Sequence, residues 1–202
     1  MMCYIMDQFN QPYYINVDED ICYYFLEYTS KVGYNYNDSN NIVFNFKSTH
    51  PNSIRYKRNA ISYFANLIIN DISNLLPKDT IYIAAPTSKT RNSALFDDRL
   101  DQVVNILNIK GLSTSLKLEA LSDITPSHSS GQNRNITDIK NNIIFYGFDP
   151  TRFQVNDFIK VAIVDDVITT GAHFKACKER ILEKYPKAIV YGIFLAKTVW
   201  IN

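Results

Sequence analysis

The order of apolar and polar positions along the chain alternates between short apolar runs and longer amphipathic stretches. Ile61, Phe64, Ala65, Ile68, Ile72, Leu75 and Leu76 recur at helical spacing, while Arg55, Arg58, Asn66 and Asn70 fall on the other side. The pattern predicts a helix that begins after Pro51 and the polar Asn52 and Ser53, and stops at Pro77, Lys78 and Asp79. Ile81 to Ala85 is a short apolar run ended by Pro86, which suits a buried strand. A second amphipathic stretch from about Leu95 to Leu107 is carried by Leu100, Val103, Val104 and Leu107, and Leu112 to Leu121 reads as another strand. The last third repeats the alternation: a strand over Lys160–Asp165, a helix over Ala172–Lys184 and a final strand over Ala188–Ala196. Strands alternating with helices imply an α/β fold built on a parallel sheet, whose ligands bind beyond the carboxyl ends of the strands.

Two regions break this rhythm. Residues 1–49 are rich in Tyr and Asn; Cys22–Tyr28 and Ile42–Phe46 have strand-like composition, with turn-prone residues 37–41 between them. The expectation is an antiparallel hairpin or small sheet whose tyrosines serve packing or an interface before base stacking. Residues 122–141 are polar and turn-rich, and too long for an ordinary connection, which points to a functional loop.

Composition narrows the classes. The chain has 202 residues, 46% hydrophobic and 20% charged, enough for one domain with a real core, or for a domain with a modest appendage. A formal net charge of +1 supplies no global basic field, so direct nucleic-acid binding is not expected and phosphate chemistry must sit in a local site. The three cysteines (Cys3, Cys22, Cys177) form no CxxC pair and suggest reduced, packed thiols. The first residues lack a basic segment followed by an apolar one, and no run approaches 18 apolar residues, so a cytoplasmic protein without a membrane span is expected.

The segment Val161–His173 concentrates the chemistry. Four apolar residues run into Asp165 and Asp166, followed after two residues by Thr169, Thr170 and Gly171 and then by a helix. A strand, a small-residue loop and a helix N-terminus form an anion site, because free N–H groups and the helix dipole favour phosphate. Gly171 permits a positive φ and close approach of the backbone. Two adjacent carboxylates suit the vicinal hydroxyls of a sugar, so the whole segment describes a sugar phosphate. A capping role alone requires only one of these residues.

This stretch resembles the 5-phosphoribosyl-1-pyrophosphate (PRPP) motif of type I phosphoribosyltransferases: apolar residues, then Asp-Asp-x-x-x-Thr-Gly-x-Thr. It matches at every position but the last, where His173 replaces Thr or Ser. Among these proteins the chain is most similar to the ComF-like and predicted amidophosphoribosyltransferase branch. The resemblance implies a parallel-sheet core over residues 50–202 and a small N-terminal antiparallel hood over residues 1–49. It further implies that Asp165 and Asp166 hold the ribose hydroxyls, while Thr169, Thr170, Gly171 and Ala172 wrap the 5-phosphate. His173 either meets the phosphate or swings away; in the first turn of its helix the dipole disfavours its protonation and a bound phosphate favours it. Thr87, Ser88, Lys89 and Arg91 resemble the pyrophosphate loop. Residues 123–141 fall where the family carries a closing loop, with Arg134 as the closing catalytic cation, Lys140 its rival and His128 a candidate acid or base. The implied reaction is transfer of the 5-phosphoribosyl group from PRPP to a nitrogen acceptor, a base or an amine, with Mg²⁺ bound through PRPP and a homodimer compatible with the family. The alternative is a non-catalytic PRPP or nucleotide sensor on the same fold. A DNA-uptake accessory role, by analogy with ComF, finds no support in the charge.

Overall fold

The computed structural model describes residues 3–114, 116–124, 135–147 and 158–200. Its elements in chain order are β1 (Tyr4–Ile5), β2 (Ile21–Thr29), α1 (Asp38–Lys47), α2 (Ile54–Leu67), β3 (Ile81–Ala84), α3 (Arg99–Ile109), β4 (Lys117–Ala120), α4 (Ile136–Asn141), β5 (Ile143–Tyr146), β6 (Lys160–Ile168), α5 (Ala172–Lys184) and β7 (Ile189–Val199). A 3₁₀ turn over Pro51–Ser53 leads into α2, and a π-helical turn over Ile68–Ile72 extends it.

Among the described residues, five strands form the central sheet in the order β1-β2-β7-β6-β3, in which only β1 runs antiparallel to its neighbour. Of the interior strands, β6 and β7 are the most continuously apolar. Val161 to Val164 of β6 and Ile193 to Ala196 of β7 are buried, as expected of strands covered on both faces. One face carries α1, α2 and α3, which pack on one another; there Phe25 and Phe46 meet Phe64 of α2 edge-on at 6.0 and 5.8 Å. The other face carries α5 with α4 against it, and Phe194 meets Phe174 of α5 at 6.1 Å. β4 and β5 form a separate antiparallel pair.

The mixed α/β architecture and mostly parallel sheet expected from the sequence are present. The reading of residues 42–46 as a strand is corrected: Ile42–Phe46 lies on α1. The Asn37 side chain accepts the Asn40 N–H at 2.8 Å and starts the helix, and Val43 and Phe46, three apart, point into the core. Cys22–Tyr28 is a strand, but it adds to the central sheet parallel to β7 instead of pairing with residues 42–46. The antiparallel pairing in the N-terminal segment is confined to β1 on β2. Buried Asn40 ties α1 to this strand by accepting the Thr29 N–H at 3.0 Å and donating to the Thr29 carbonyl at 2.9 Å. The stretch 122–141 also holds more structure than expected, since Asn135 caps α4 by accepting the Asp138 N–H at 2.8 Å.

Candidate functional site

Strands β3 and β6 are parallel neighbours in the register Ala84↔Val164, and the Ala85 N–H continues the ladder to the Val164 carbonyl at 2.9 Å. The connection that begins at Ala85 and the segment that begins at Asp165 therefore leave the same end of the sheet side by side. β6 runs on to Ile168, so the turn into α5 is only Thr169, Thr170 and Gly171. Gly171 caps α5 with φ +85°, a conformation that side chains resist. Thr169 Oγ1 is 2.9 Å from Thr198 Oγ1 of β7, and Ala172, the first helical residue, has its N–H 3.4 Å from Thr170 Oγ1.

Successive residues of a strand face opposite sides, so the two aspartates part company. Asp165 faces α5, where its Oδ2 lies 2.9 Å from His173 Nδ1 and its Oδ1 accepts the Asp166 N–H at 2.8 Å. Asp166 faces the other helices. Its Oδ2 accepts from Arg99 of α3 at 2.5 Å and lies 3.3 Å from Lys47 Nζ of α1, while its Oδ1 accepts the Val167 N–H at 2.6 Å. Both carboxylates are nearly buried, at 8% exposure each. Burial opposes the charge of Asp166, but Lys47 and Arg99 outweigh it and hold the carboxyl well below its usual range. Arg99 also binds Asp97 at 2.7 Å, and Asp97 takes Lys57 at 2.8 Å, which makes a chain of alternating charges across this face.

His173 corrects the dipole argument. Burial alone lowers the imidazole's pKa, but the Cys177 sulfur and the Asp165 carboxylate beside it prevail and hold it well above its ordinary value. The ring keeps 38% of its side-chain surface exposed, and Asp165 supplies the counter-ion that the sequence reading assigned to a phosphate.

The basic loop after β3 is similarly occupied. Thr87 Oγ1 donates to the Lys89 carbonyl at 2.9 Å, and the Ser88 carbonyl accepts the Ile124 N–H at 2.9 Å. Lys89 Nζ lies 3.7 Å from Asp123, and Arg91 binds Asp101 at 2.9 Å and also Glu119. Thr87, Lys89, Arg91, Asp101 and Glu119 line a small cleft together with Ala85, Leu100 and Leu118. Lys140 is drawn away to Glu179 and Glu183 of α5, at 3.1 Å each, so its amine serves α4–α5 packing. His128 and Arg134 lie outside the described residues.

The fold thus brings together Asp165, Asp166, Thr169, Thr170, Gly171, Ala172 and His173 on one side, with Thr87, Ser88, Lys89 and Arg91 on the next strand's connection. Sequence reasoning gave no role to Arg99 or Lys47. Arg99 sits in a stretch read as an amphipathic helix, and Lys47 directly follows one read as a strand. It also missed the segment Asn10–Asp20, which lies on the Thr169–Gly171 turn: the Tyr14 N–H donates to the Thr170 carbonyl at 2.8 Å. Among the described residues no group of three or more His, Cys, Asp or Glu side chains is placed to hold a metal ion. No helix among them is long and apolar enough to cross a membrane. No family model matches the chain, and no curated protein matches it either.

Proposed function

We propose that the chain binds PRPP at the carboxyl ends of β3 and β6 and transfers its 5-phosphoribosyl group to a nitrogen acceptor. The observation that carries this reading is the parallel pairing of β3 with β6. It sets the turn that starts α5 beside a loop bearing Lys89 and Arg91, at the end of the sheet where α/β folds bind ligands. The Thr169–His173 turn takes the 5-phosphate, and Asp165 takes ribose hydroxyls with the lone pairs its present bonds leave over. Asp166 is the weaker diol ligand, because Arg99 and Lys47 already engage one of its oxygens. Lys89 and Arg91 face the diphosphate. Mg²⁺, when bound with PRPP, supplies further neutralisation of that diphosphate. In the transfer, the acceptor nitrogen forms a bond to ribose C1 as the C1–O bond breaks. The diphosphate leaves with the electron pair, and the nitrogen's proton passes to solvent. The chain's part is positioning and charge stabilisation, which require no side-chain nucleophile.

A second reading, a PRPP or nucleotide sensor without turnover, is favoured by one observation: Asp165, Asp166, Lys89 and Arg91 are all ion-paired within the chain. Incubation with PRPP, Mg²⁺ and a panel of bases and amines separates the two. Diphosphate release supports transfer, whereas binding with an unchanged PRPP pool supports the sensor. Absence of any PRPP binding removes transfer and the PRPP sensor, and leaves only a nucleotide sensor.

A further inference from the structure

The turn assigned to the phosphate is covered. Besides the Tyr14–Thr170 hydrogen bond, the side chain of Ile15 stands against Gly171: a methyl group built there meets Ile15 Cδ1 and Cγ1 at 2.8 Å. Ile15 is itself only 3% exposed, so this is a packed contact. The segment is anchored at its far end by Asp20, which is 1% exposed and receives Lys175 and Lys178 of α5 at 2.7 Å each. Lys178 also donates to the Glu19 carbonyl at 2.7 Å, and Asp20 accepts the Asn16 N–H at 2.9 Å. At the near end, the Asn10 carbonyl faces Lys197 Nζ at 3.5 Å.

We propose that Asn10–Asp20 is an autoinhibitory strap, in which Ile15 occupies the approach to the Gly171 backbone and Asp20 holds Lys175 and Lys178 in the place of a ligand anion. This inference rests on the phosphate reading of Thr169–His173. Glycine is used at a phosphate turn because the ligand must come against the bare backbone, and here an isoleucine side chain fills that approach. Lys175 lies within the first turn and a half of α5, so its ammonium belongs to the field at the helix start. The strap's carboxylate neutralises that ammonium together with Lys178. A phosphate entering the turn displaces Ile15, breaks the Tyr14–Thr170 bond and draws Lys175 from Asp20. The strap-closed population therefore weakens apparent affinity by the fraction of molecules that are open.

The test is titration of Mg²⁺–PRPP into the full chain, its Ile15→Ala variant and its Asp20→Asn variant, with amide exchange read over residues 10–20. Ile15→Ala is expected to bind about tenfold more tightly or better than wild type, as strap opening costs less. Ligand is expected to speed exchange of the Tyr14 and Asp20 amides while the rest of the chain slows. Asp20→Asn is the second route to an open strap, and its melting temperature shows whether it is folded; a folded Asp20→Asn protein must also bind more tightly. Equal affinity in wild type and Ile15→Ala, or slower exchange at Tyr14 with ligand, overturns the strap and leaves the PRPP reading standing. Failure of all three proteins to bind PRPP overturns that reading and the strap together.

Discussion

Replacing Asp166 with asparagine probes the charge network that the strand's alternation creates. The substitution keeps shape and removes the anion that Arg99 holds at 2.5 Å in a site where Asp166 is 8% exposed and the Arg99 side chain 15%. Breaking one partner of a buried ion pair costs about 3–5 kcal/mol, because the other charge stays buried without compensation. Two features place the cost at the low end. Arg99 retains Asp97, and Lys47, with 41% of its side chain exposed, can return to water. About 3 kcal/mol is therefore expected, and with a urea dependence near 2 kcal/mol per molar the unfolding midpoint should fall by about 1.5 M. The pH dependence has a definite sign. The Asp166 carboxyl is held below its unfolded value, so its contribution is present above about pH 4 and is lost as pH falls through the folded value. Equilibrium urea unfolding of wild type and Asp166→Asn, at neutral pH and at steps from pH about 4 down to about 2, measures both effects. A neutral-pH loss below about 1 kcal/mol would mean that Arg99 does not depend on Asp166, and would refute the network. The double replacement Arg99→Met with Asp166→Leu should recover much of the loss, since Asp97 keeps Lys57 and the half-exposed Lys47 can return to water.

Three further outcomes follow from the same geometry. His173 is held above its unfolded pKa, so its contribution to stability is complete below pH about 6.5 and declines as pH rises through the folded value. His173→Gln should flatten that decline in urea midpoints measured from pH 6 to 9, and an unchanged slope would show that the Asp165–His173 pair does not form. Gly171→Ala should cost about 1–2 kcal/mol from its positive φ alone, with a further loss against Ile15; a neutral effect on melting would exclude the left-handed cap. Phe64→Ala, which empties the meeting point of Phe25 and Phe46, should lose about 3–5 kcal/mol by the same urea assay, and a loss under 1 kcal/mol would displace the core from this face.

What could be read from the sequence divides by the range of the physics involved. α5 was legible to the residue and β6 at its start, because a buried strand is a plain apolar run and Thr169–Gly171 is local turn chemistry, but β6 runs to Ile168, past the expected end at Asp165. Residues 42–46 misled because Ile, Val and Phe suit a strand by composition. The deciding signals were the Asn37 cap and the three-residue spacing of Val43 and Phe46, and the latter counts only once the burying face is known. The parting of Asp165 and Asp166 was latent in the strand period. Its result depended on how far β6 extends past the aspartates and on which helices flank it. Arg99, Lys47 and Asp20 were illegible for another reason: each acts through a partner 67 to 158 residues away, and no local pattern marks such pairs. Asp20 in particular looks like one more acid in the run Asp18, Glu19, Asp20 until the fold buries it.

Calorimetric titration of Mg²⁺–PRPP into wild type and Asp165→Asn tests the central reading most directly. Asparagine keeps the shape at 165 and leaves the Asp166–Arg99 pair intact, so the folded chain should survive to be measured. Saturable binding by wild type, weakened about tenfold or more in Asp165→Asn as a charge-assisted hydrogen bond to the ribose is lost, is the result expected. No saturable binding by wild type, or equal affinity in the two proteins, would contradict PRPP recognition by this segment.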